Sequence, residues 1–324
     1  MTGRARKKGS TPAPSAPPDD RLRLGGTGRS HPAIGLGLWA LGRWTREDEA
    51  RTQATAARAL EAGVRWFDTA EVYGTGRSER ILGDVLRRRA GGGDEVFVTT
   101  KVSWEHLRPA QVRSALIGSL ARLGLSSVDV YLVHAPDPHV SITETMGVLE
   151  ELWTEGKIRA VGVSNFSLTE LHAARAALSK APLVVNQVLY NLFDREEGDA
   201  LADYCRAERI VLEAYTPLAR GLLTGRYLDQ EKPPAEVRRF AHRLFSPDLF
   251  PIYRERARAL RALAVAAGIP MAALALGWLR RRGAAPVFGA SRPEQVDEIL
   301  AAWAARPSED VLDRADAIAR GERA

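Results

Sequence analysis

Eight short runs rich in Val, Ile and Leu recur down this chain, each followed by polar or glycine-containing residues and then by a helical pattern. In order they are "AIGLGLW", "GVRWFD", "EVFVTTK", "SVDVYLVH", "KIRAVGVSN", "PLVVNQV", "RIVLEAY" and "APVFGAS". Helical periodicity falls between them over residues 46–62, 78–90, 109–123, 143–155, 168–179 and 195–208, and once more at the end over 307–319. Ser78, Thr143 and Ser167 stand where side-chain oxygens can cap free amides of a first turn. Gly63, Gly124 and Gly156 stand where left-handed helix stops are expected. Strand and helix alternate with no second composition regime, which calls for parallel β/α units. Eight units in about 290 residues predict an α/β fold, a single-domain (β/α)8 TIM barrel over residues 21–324. A doubly wound sheet would need a Gly-rich phosphate turn opening its first helix; "GLGLW" and "GTGRSE" contain G-x-G but complete no such fingerprint.

The first 20 residues, "MTGRARKKGSTPAPSAPPDD", are rich in Pro, Ser and Ala and nearly free of large apolar side chains, so a disordered basic tail is expected. Arg4, Arg6, Lys7 and Lys8 supply much of the net charge of +6, so no nucleic-acid partner is expected from that charge. The tail lacks the apolar stretch of a secretion signal, and no apolar run approaches the roughly 20 residues of a membrane helix. Cys205 stands alone and forms no internal disulfide. A cytoplasmic chain without membrane association is expected. Oligomeric state is not legible.

In a barrel, function collects where the strands run out at their carboxyl ends. Those ends read Asp68, Lys101, His134, Ser164 with Asn165, Gln187, Tyr215, and Gly289 with Ser291. By alternation Val64, Trp66 and Asp68 share a face, as do Phe97, Thr99 and Lys101, and Val130, Leu132 and His134. Three neighbouring strands are thus expected to aim Asp68, Lys101 and His134 inward together. Each residue alone has a structural reading, as a turn cap, a snorkelling amine or a core imidazole. Together with Tyr73 they suit one task. A phenol is a poor acid at neutral pH, an adjacent ammonium favours its ionised form, and Asp68 balances that ammonium. The imidazole of His134 can hydrogen-bond a carbonyl oxygen, so the set makes a proton donor facing a polarised C=O.

The electron source is expected to be a bound cofactor. Cys205 is single and the histidines show no H-x-H or H-E-x-x-H spacing, so no metal is predicted; a nicotinamide supplies hydride. Ser164, Asn165 and Gln187 can grip a carboxamide and Tyr215 can stack a ring. Glycines in "TPLARGLLTGRY" permit close backbone approach, with Arg220 and Arg226 near enough in sequence to meet phosphates. Pro293 begins a helix beside Ser291 and Arg292, a candidate anion site.

These stretches, "GVRWFDTAEVYG", the lysine of "VTTKV", "DVYLVHAPDP", "EGKIRAVGVSNFS", "NQVLYNLFDR", "YTPLARGLLTGRY" and "GASRPEQVDEIL", resemble in order the signatures of the aldo-keto reductases, from about Leu24 to Leu300. The resemblance implies a (β/α)8 barrel binding NADPH in extended form and reducing small-molecule aldehydes or ketones to alcohols, reversibly. It makes Tyr73 the general acid, with Lys101 lowering its pKa, Asp68 pairing with Lys101 and His134 orienting the carbonyl. It makes Ser164, Asn165 and Gln187 ligands of the carboxamide and puts Tyr215 under the nicotinamide, with Gly37, Leu38 and Trp39 nearby. Thr216, Pro217, Leu218, Gly221 and Arg226 go to the pyrophosphate side. Gly289, Ser291, Arg292, Gln295 and Glu298 go to the adenosine, Ser291 and Arg292 to a 2'-phosphate. Ile299 departs from the pattern, standing where the family usually has an asparagine facing adenine, so the choice of NADPH over NADH stays open.

The substrate is not legible. Trp44 and Trp104, with Phe240, Phe245 and Phe250 of the insertion before the last strand, are either pocket walls or loop anchors. Two alternatives stand beside the reductase: a cofactor-binding regulatory or scaffold subunit with little turnover, and a Schiff-base aldolase using Lys101.

Overall fold

The computed structural model describes residues 20–39, 44–88, 95–233 and 242–322. The expected tail, through residue 19, and Phe240 lie outside them. A two-stranded antiparallel hairpin, β1 (Arg21–Arg23) and β2 (Ser30–Pro32), precedes the barrel. The barrel strands are β3 (Gly35–Gly37), β4 (Trp66–Asp68), β5 (Phe97–Val102), β6 (Val130–Val133), β7 (Val161–Ser164), β8 (Leu183–Leu189), β9 (Val211–Tyr215) and β10 (Ala285–Gly289). They pair in parallel in sequence order, and β10 closes on β3. The eight apolar runs are therefore the eight barrel strands.

Each strand is followed by a helix on the outside: α1 (Arg46–Glu61), α2 (Arg77–Arg88), α3 (Pro109–Leu123), α4 (Ile142–Thr154), α5 (Leu168–Ala177) and α6 (Glu196–Ala207). Among the described residues, two helices, α7 (Phe250–Ala266) and α8 (Met271–Arg281), lie between β9 and β10, and α9 (Pro293–Ala304) and α10 (Glu309–Arg320) follow β10. Among the described residues no single helix is long and apolar enough to cross a membrane.

Local chemistry explains the boundaries, with two departures from the expected caps. Ser167 caps α5 in a reciprocal box with Glu170, and Gly124 ends α3 at φ 69°. Helix α2, however, begins at Arg77, so Ser78 is its second residue. Its buried hydroxyl donates to the Leu38 carbonyl (3.0 Å) and meets Thr69 Oγ1 (2.7 Å), tying the ends of β3 and β4 together. Helix α4 begins at Ile142 after Ser141, which puts Thr143 inside the first turn, where Thr145 rather than Thr143 bonds back to the Ser141 carbonyl.

Two apolar layers follow from strand alternation. Outward side chains pack under the helices in the main core, and Val64, which precedes β4 proper, belongs to this outer layer rather than sharing the inward face of Trp66. Inward side chains fill the barrel with Trp66, Phe97, Val130, Leu132, Val185, Val211 and Val287, and Leu24 from the hairpin joins them. Trp66 fits because Gly35 faces it; a Cβ on Gly35 would collide with the indole ring. Above this packed layer the inward positions turn polar.

Candidate active site

On β4 the inward row continues from Trp66 to Asp68, and on β5 from Phe97 through Thr99 to Lys101. Trp66 Nε1 donates to Thr99 Oγ1 at 3.1 Å, which locks the two rows in register. Lys101 is fully buried. Its ammonium donates to both Asp68 oxygens, at 2.6 and 2.7 Å, to the Thr69 carbonyl at 3.0 Å and to Tyr73 Oη at 3.2 Å. Tyr73 sits in the turn after β4, which Gly74 and Gly76 bend with positive φ. The Trp44 ring covers Gly74. His134 follows β6 with its ring edge-on to Tyr73, centroids 5.6 Å apart, and edge-on to Trp104 at 5.8 Å. Its Nδ1 is buried without a hydrogen-bond partner among the described residues.

Burial and charge set the protonation of this cluster. Burial is the largest influence and works against a charged Lys101, but Asp68 and Tyr73 together outweigh it and hold the ammonium above its ordinary range. Burial raises the Asp68 carboxyl, and the Lys101 charge opposes that rise. For Tyr73, burial is again the largest influence and outweighs Lys101, so the hydroxyl lies above the ordinary phenol range. Lys101 lowers the phenol as expected, but it limits the rise due to burial without reversing it. Burial, and then the nearby Lys101 charge, push His134 down to about 3, leaving a neutral imidazole.

The other half of the rim is a hydrogen-bonded row. Tyr215 Oη donates to Asn165 Oδ1 (3.0 Å), Asn165 Nδ2 donates to the His134 carbonyl (2.9 Å) and to Ser164 Oγ (3.1 Å), and Ser164 Oγ donates to the Gln187 carbonyl (2.8 Å). Asn165 and Thr216 hold left-handed backbone, φ 59° and 57°, and so do Ala219 and Arg220 beyond them. Non-glycine residues cluster in this conformation where surrounding structure imposes it, commonly around binding sites. Gln187 points into the barrel, its Nε2 donating to Asp68 Oδ2 (3.0 Å) and to Glu213 Oε2 (2.6 Å).

The remaining candidates spread along one rim. Gly37 pairs with Asp68 across β3 and β4, and the Leu38 amide donates to the Asp68 carbonyl. Trp39 is 41% exposed, with the Arg220 guanidinium 5.4 Å from its ring centre. Pro217 and Leu218 are buried, Gly221 takes φ 96°, and Arg226 is exposed beside Tyr227. Gly289, which ends β10, and Ser291, Arg292 and Glu298 beyond it are exposed. The Ser291 amide and hydroxyl both donate to Gln295 Oε1. Ile299 is buried in the main core and offers no polar group there. Phe245 and Phe250 are buried and stacked on each other, centroids 5.8 Å apart, so they are loop anchors and not pocket walls. Sequence reasoning missed Glu213 and His31, which extend the Asp68 network to the barrel floor. The available signals were a carboxylate in the middle of the apolar run "RIVLEAY" and a histidine in "SHPAIG".

A closed parallel barrel with polar side chains gathered at the carboxyl ends of its strands defines a (β/α)8 enzyme. The chain belongs to the aldo/keto reductase family, whose model matches residues 33–320. It is 35% identical over 302 residues to the aldo-keto reductase YhdN of Bacillus subtilis, covering 89% of this chain and 90% of that one. It is 31% identical over 310 residues, 87% of this chain and 93% of the other, to an NADH-specific methylglyoxal reductase of Escherichia coli. Among solved structures it is similar to the glycerol dehydrogenase AKR11B4 of Gluconobacter oxydans, with TM-score 0.83, 30% identity and coverage of 93% and 95% of the two chains. It is also similar to an aldo-keto reductase of Klebsiella pneumoniae in complex with NADPH, with TM-score 0.74, 28% identity and coverage of 92% and 94%. It is an NAD(P)H-dependent oxidoreductase acting on small carbonyl or alcohol substrates.

Proposed function

We propose that this chain reduces aldehydes or ketones with NADPH, Tyr73 serving as the proton donor. The observation that carries this is the fully buried ammonium of Lys101, bonded at once to Asp68 and to Tyr73 Oη. A hydroxyl held above its usual range arrives protonated, and the Lys101 N–H already aimed at its oxygen stabilises the phenolate as the proton leaves. Asp68 keeps Lys101 in place and charged. His134, neutral, offers an N–H to a carbonyl oxygen beside the Tyr73 hydroxyl. Trp104, next to His134, forms an aromatic wall suited to an apolar or aromatic carbonyl; Trp44 supports the Tyr73 turn from behind.

The rim residues fit a nicotinamide dinucleotide. The buried, unpartnered His134 Nδ1, the Asn165–Ser164 row and the left-handed backbone at Thr216 form a polar, strained edge beside the proton donor. When bound, the cofactor supplies the hydride. Ser164, Asn165 and Gln187 would hold its carboxamide and Tyr215 its ring, with Gly37, Leu38 and Trp39 alongside. Thr216, Pro217, Leu218, Gly221 and Arg226 would line its diphosphate. Gly289, Gln295 and Glu298 would meet its adenosine. The exposed Ser291 and Arg292 at the start of α9 favour a 2'-phosphate and hence NADPH.

Tyr73→Phe tests the assignment. Carbonyl reduction should fall by about 100-fold or more, the usual worth of a positioned general acid, while tryptophan quenching by NADPH persists. Full activity in that variant would refute the proton-donor role. Parallel titrations with NADPH and NADH test the cofactor preference, and tighter NADH binding would overturn it. A Schiff-base reading needs a neutral amine, and the Asp68 carboxylate on Lys101 argues against one; borohydride trapping of a substrate on Lys101 would be its evidence.

A further inference from the structure

Glu213 lies in the middle of β9, fully buried, and His31 lies in β2 beneath it, also fully buried. The imidazole is wedged edge-on against Trp66 and Phe97, with centroids at 4.2 and 4.7 Å. His31 Nδ1 is 2.6 Å from the Pro32 carbonyl oxygen, which only accepts, so Nδ1 carries a hydrogen. His31 Nε2 is 2.9 Å from Glu213 Oε1, and a favourable contact there needs a second proton, held on one atom or the other. The pair is therefore electrically balanced, whether as imidazolium and carboxylate or as imidazole and carboxylic acid. Glu213 Oε2 faces Gln187.

Both N–H bonds of the Gln187 amide are committed, one to Glu213 at 2.6 Å and the other to Asp68 at 3.0 Å. A flipped amide would set its oxygen against oxygens of two acids, so the orientation is fixed from two sides. The one polar group left on Gln187 is Oε1, which only accepts. A nicotinamide carboxamide carries an NH2 group that donates, whereas a turned-over Gln187 would meet it donor to donor.

Resting on the nicotinamide reading above, we infer that the buried Glu213–His31 pair is a positioning device that presents Gln187 Oε1 as the acceptor for the carboxamide NH2. Glu213 and His31 touch no reacting atom. They act through Gln187, and Asp68 shares the task. The hairpin under the barrel thereby sets a specificity element at its mouth.

The test compares NADP+ with its 3-acetylpyridine analogue, whose acetyl group has no N–H to donate, by tryptophan-fluorescence titration of the full chain. Removing Glu213 and His31 together, as His31→Phe/Glu213→Leu, leaves no orphaned partner, which is the tolerated way to delete a buried polar pair. Near-UV circular dichroism checks its packing, and Glu213→Met provides a second route to the same measurement. The expected result in either variant is a fall of about five-fold in affinity for NADP+, the worth of one ordinary hydrogen bond, with affinity for the analogue unchanged. Glu213→Gln should keep the wild-type ratio, since its oxygen accepts from Gln187 and its amide donates to His31 Nε2. An unchanged ratio in the folded variants, or equal weakening of both ligands, overturns the inference. Failure of the wild-type chain to bind NADP+ is a different result, and it overturns the cofactor reading on which the inference rests.

Discussion

Replacing Lys101 with Met removes the ammonium at the centre of the site and leaves the Asp68 carboxylate in place. The side chains of Lys101 and Asp68 are 0% and 3% exposed, so water does not replace the lost partner. Four contacts disappear: two to Asp68, one to the Thr69 carbonyl and one to Tyr73. Among the described residues the Asp68 carboxylate retains only the Gln187 N–H. Removing one member of a buried pair costs about 3–5 kcal/mol, because the other charge stays buried and uncompensated. At roughly 2 °C per kcal/mol in a chain of this size, thermal unfolding followed by circular dichroism should show Tm lowered by about 6–10 °C. Asp68→Asn should also destabilise, while the double variant, with neither charge, should cost less than Lys101→Met alone. The coupling between the two sites should therefore be at least about 2 kcal/mol. The sign with pH is also defined. In Lys101→Met the Asp68 carboxyl loses the larger of the two influences that oppose its raised pKa and keeps only the Gln187 hydrogen bond, so the folded state binds a proton more readily than the unfolded chain. Its stability is then greatest at low pH and is lost as pH rises through the elevated value. Additive singles, or a Lys101→Met cost below about 1 kcal/mol, would refute the claim that this ion pair is dry and mutually dependent.

His134, lowered to about 3 from an ordinary 6.5, stays neutral in the folded site while the unfolded chain takes up a proton below 6.5. Its contribution to stability is thus present above pH 6.5 and is lost as pH falls toward 3, a slope that His134→Gln should reduce in urea titrations at stepped pH. For the same reason kcat/KM for carbonyl reduction should show no acid limb near pH 6.5, and such a limb would mean that His134 titrates in the site. Gly35→Ala should destabilise by about 1–3 kcal/mol, because the new Cβ overlaps the Trp66 indole in a filled barrel; chemical denaturation measures it, and a neutral result would show that the indole has room to move.

The barrel itself was written in local pattern. Period-two apolar runs alternating with period-3.6 segments admit few assemblies, and the inward parity of Asp68 and Lys101 followed from counting along strands whose register β-pairing preserves. Capping chemistry at Ser167 was equally local. Other features depended on contacts between residues far apart in sequence. Ser78 looked like a cap, but it is a buried tie to Leu38, forty residues away, because α2 starts one residue earlier. The resemblance led to an expectation that Lys101 lowers the Tyr73 pKa. Lys101 does pull that value down, but burial outweighs it and the net shift is upward; burial is a property of the closed barrel, not of the neighbouring residue. Phe245 and Phe250 could not be sorted between wall and anchor until α7 folded them against each other. The link from His31 to Glu213 spans 182 residues, and the link from Glu213 to Gln187 joins two strands. Sequence by itself determined which side chains would line one rim, since strand periodicity is a short-range property of the backbone. Only the tertiary structure decided which of them share protons, because closing a barrel brings distant strands together in a dry interior where each polar group must find a partner.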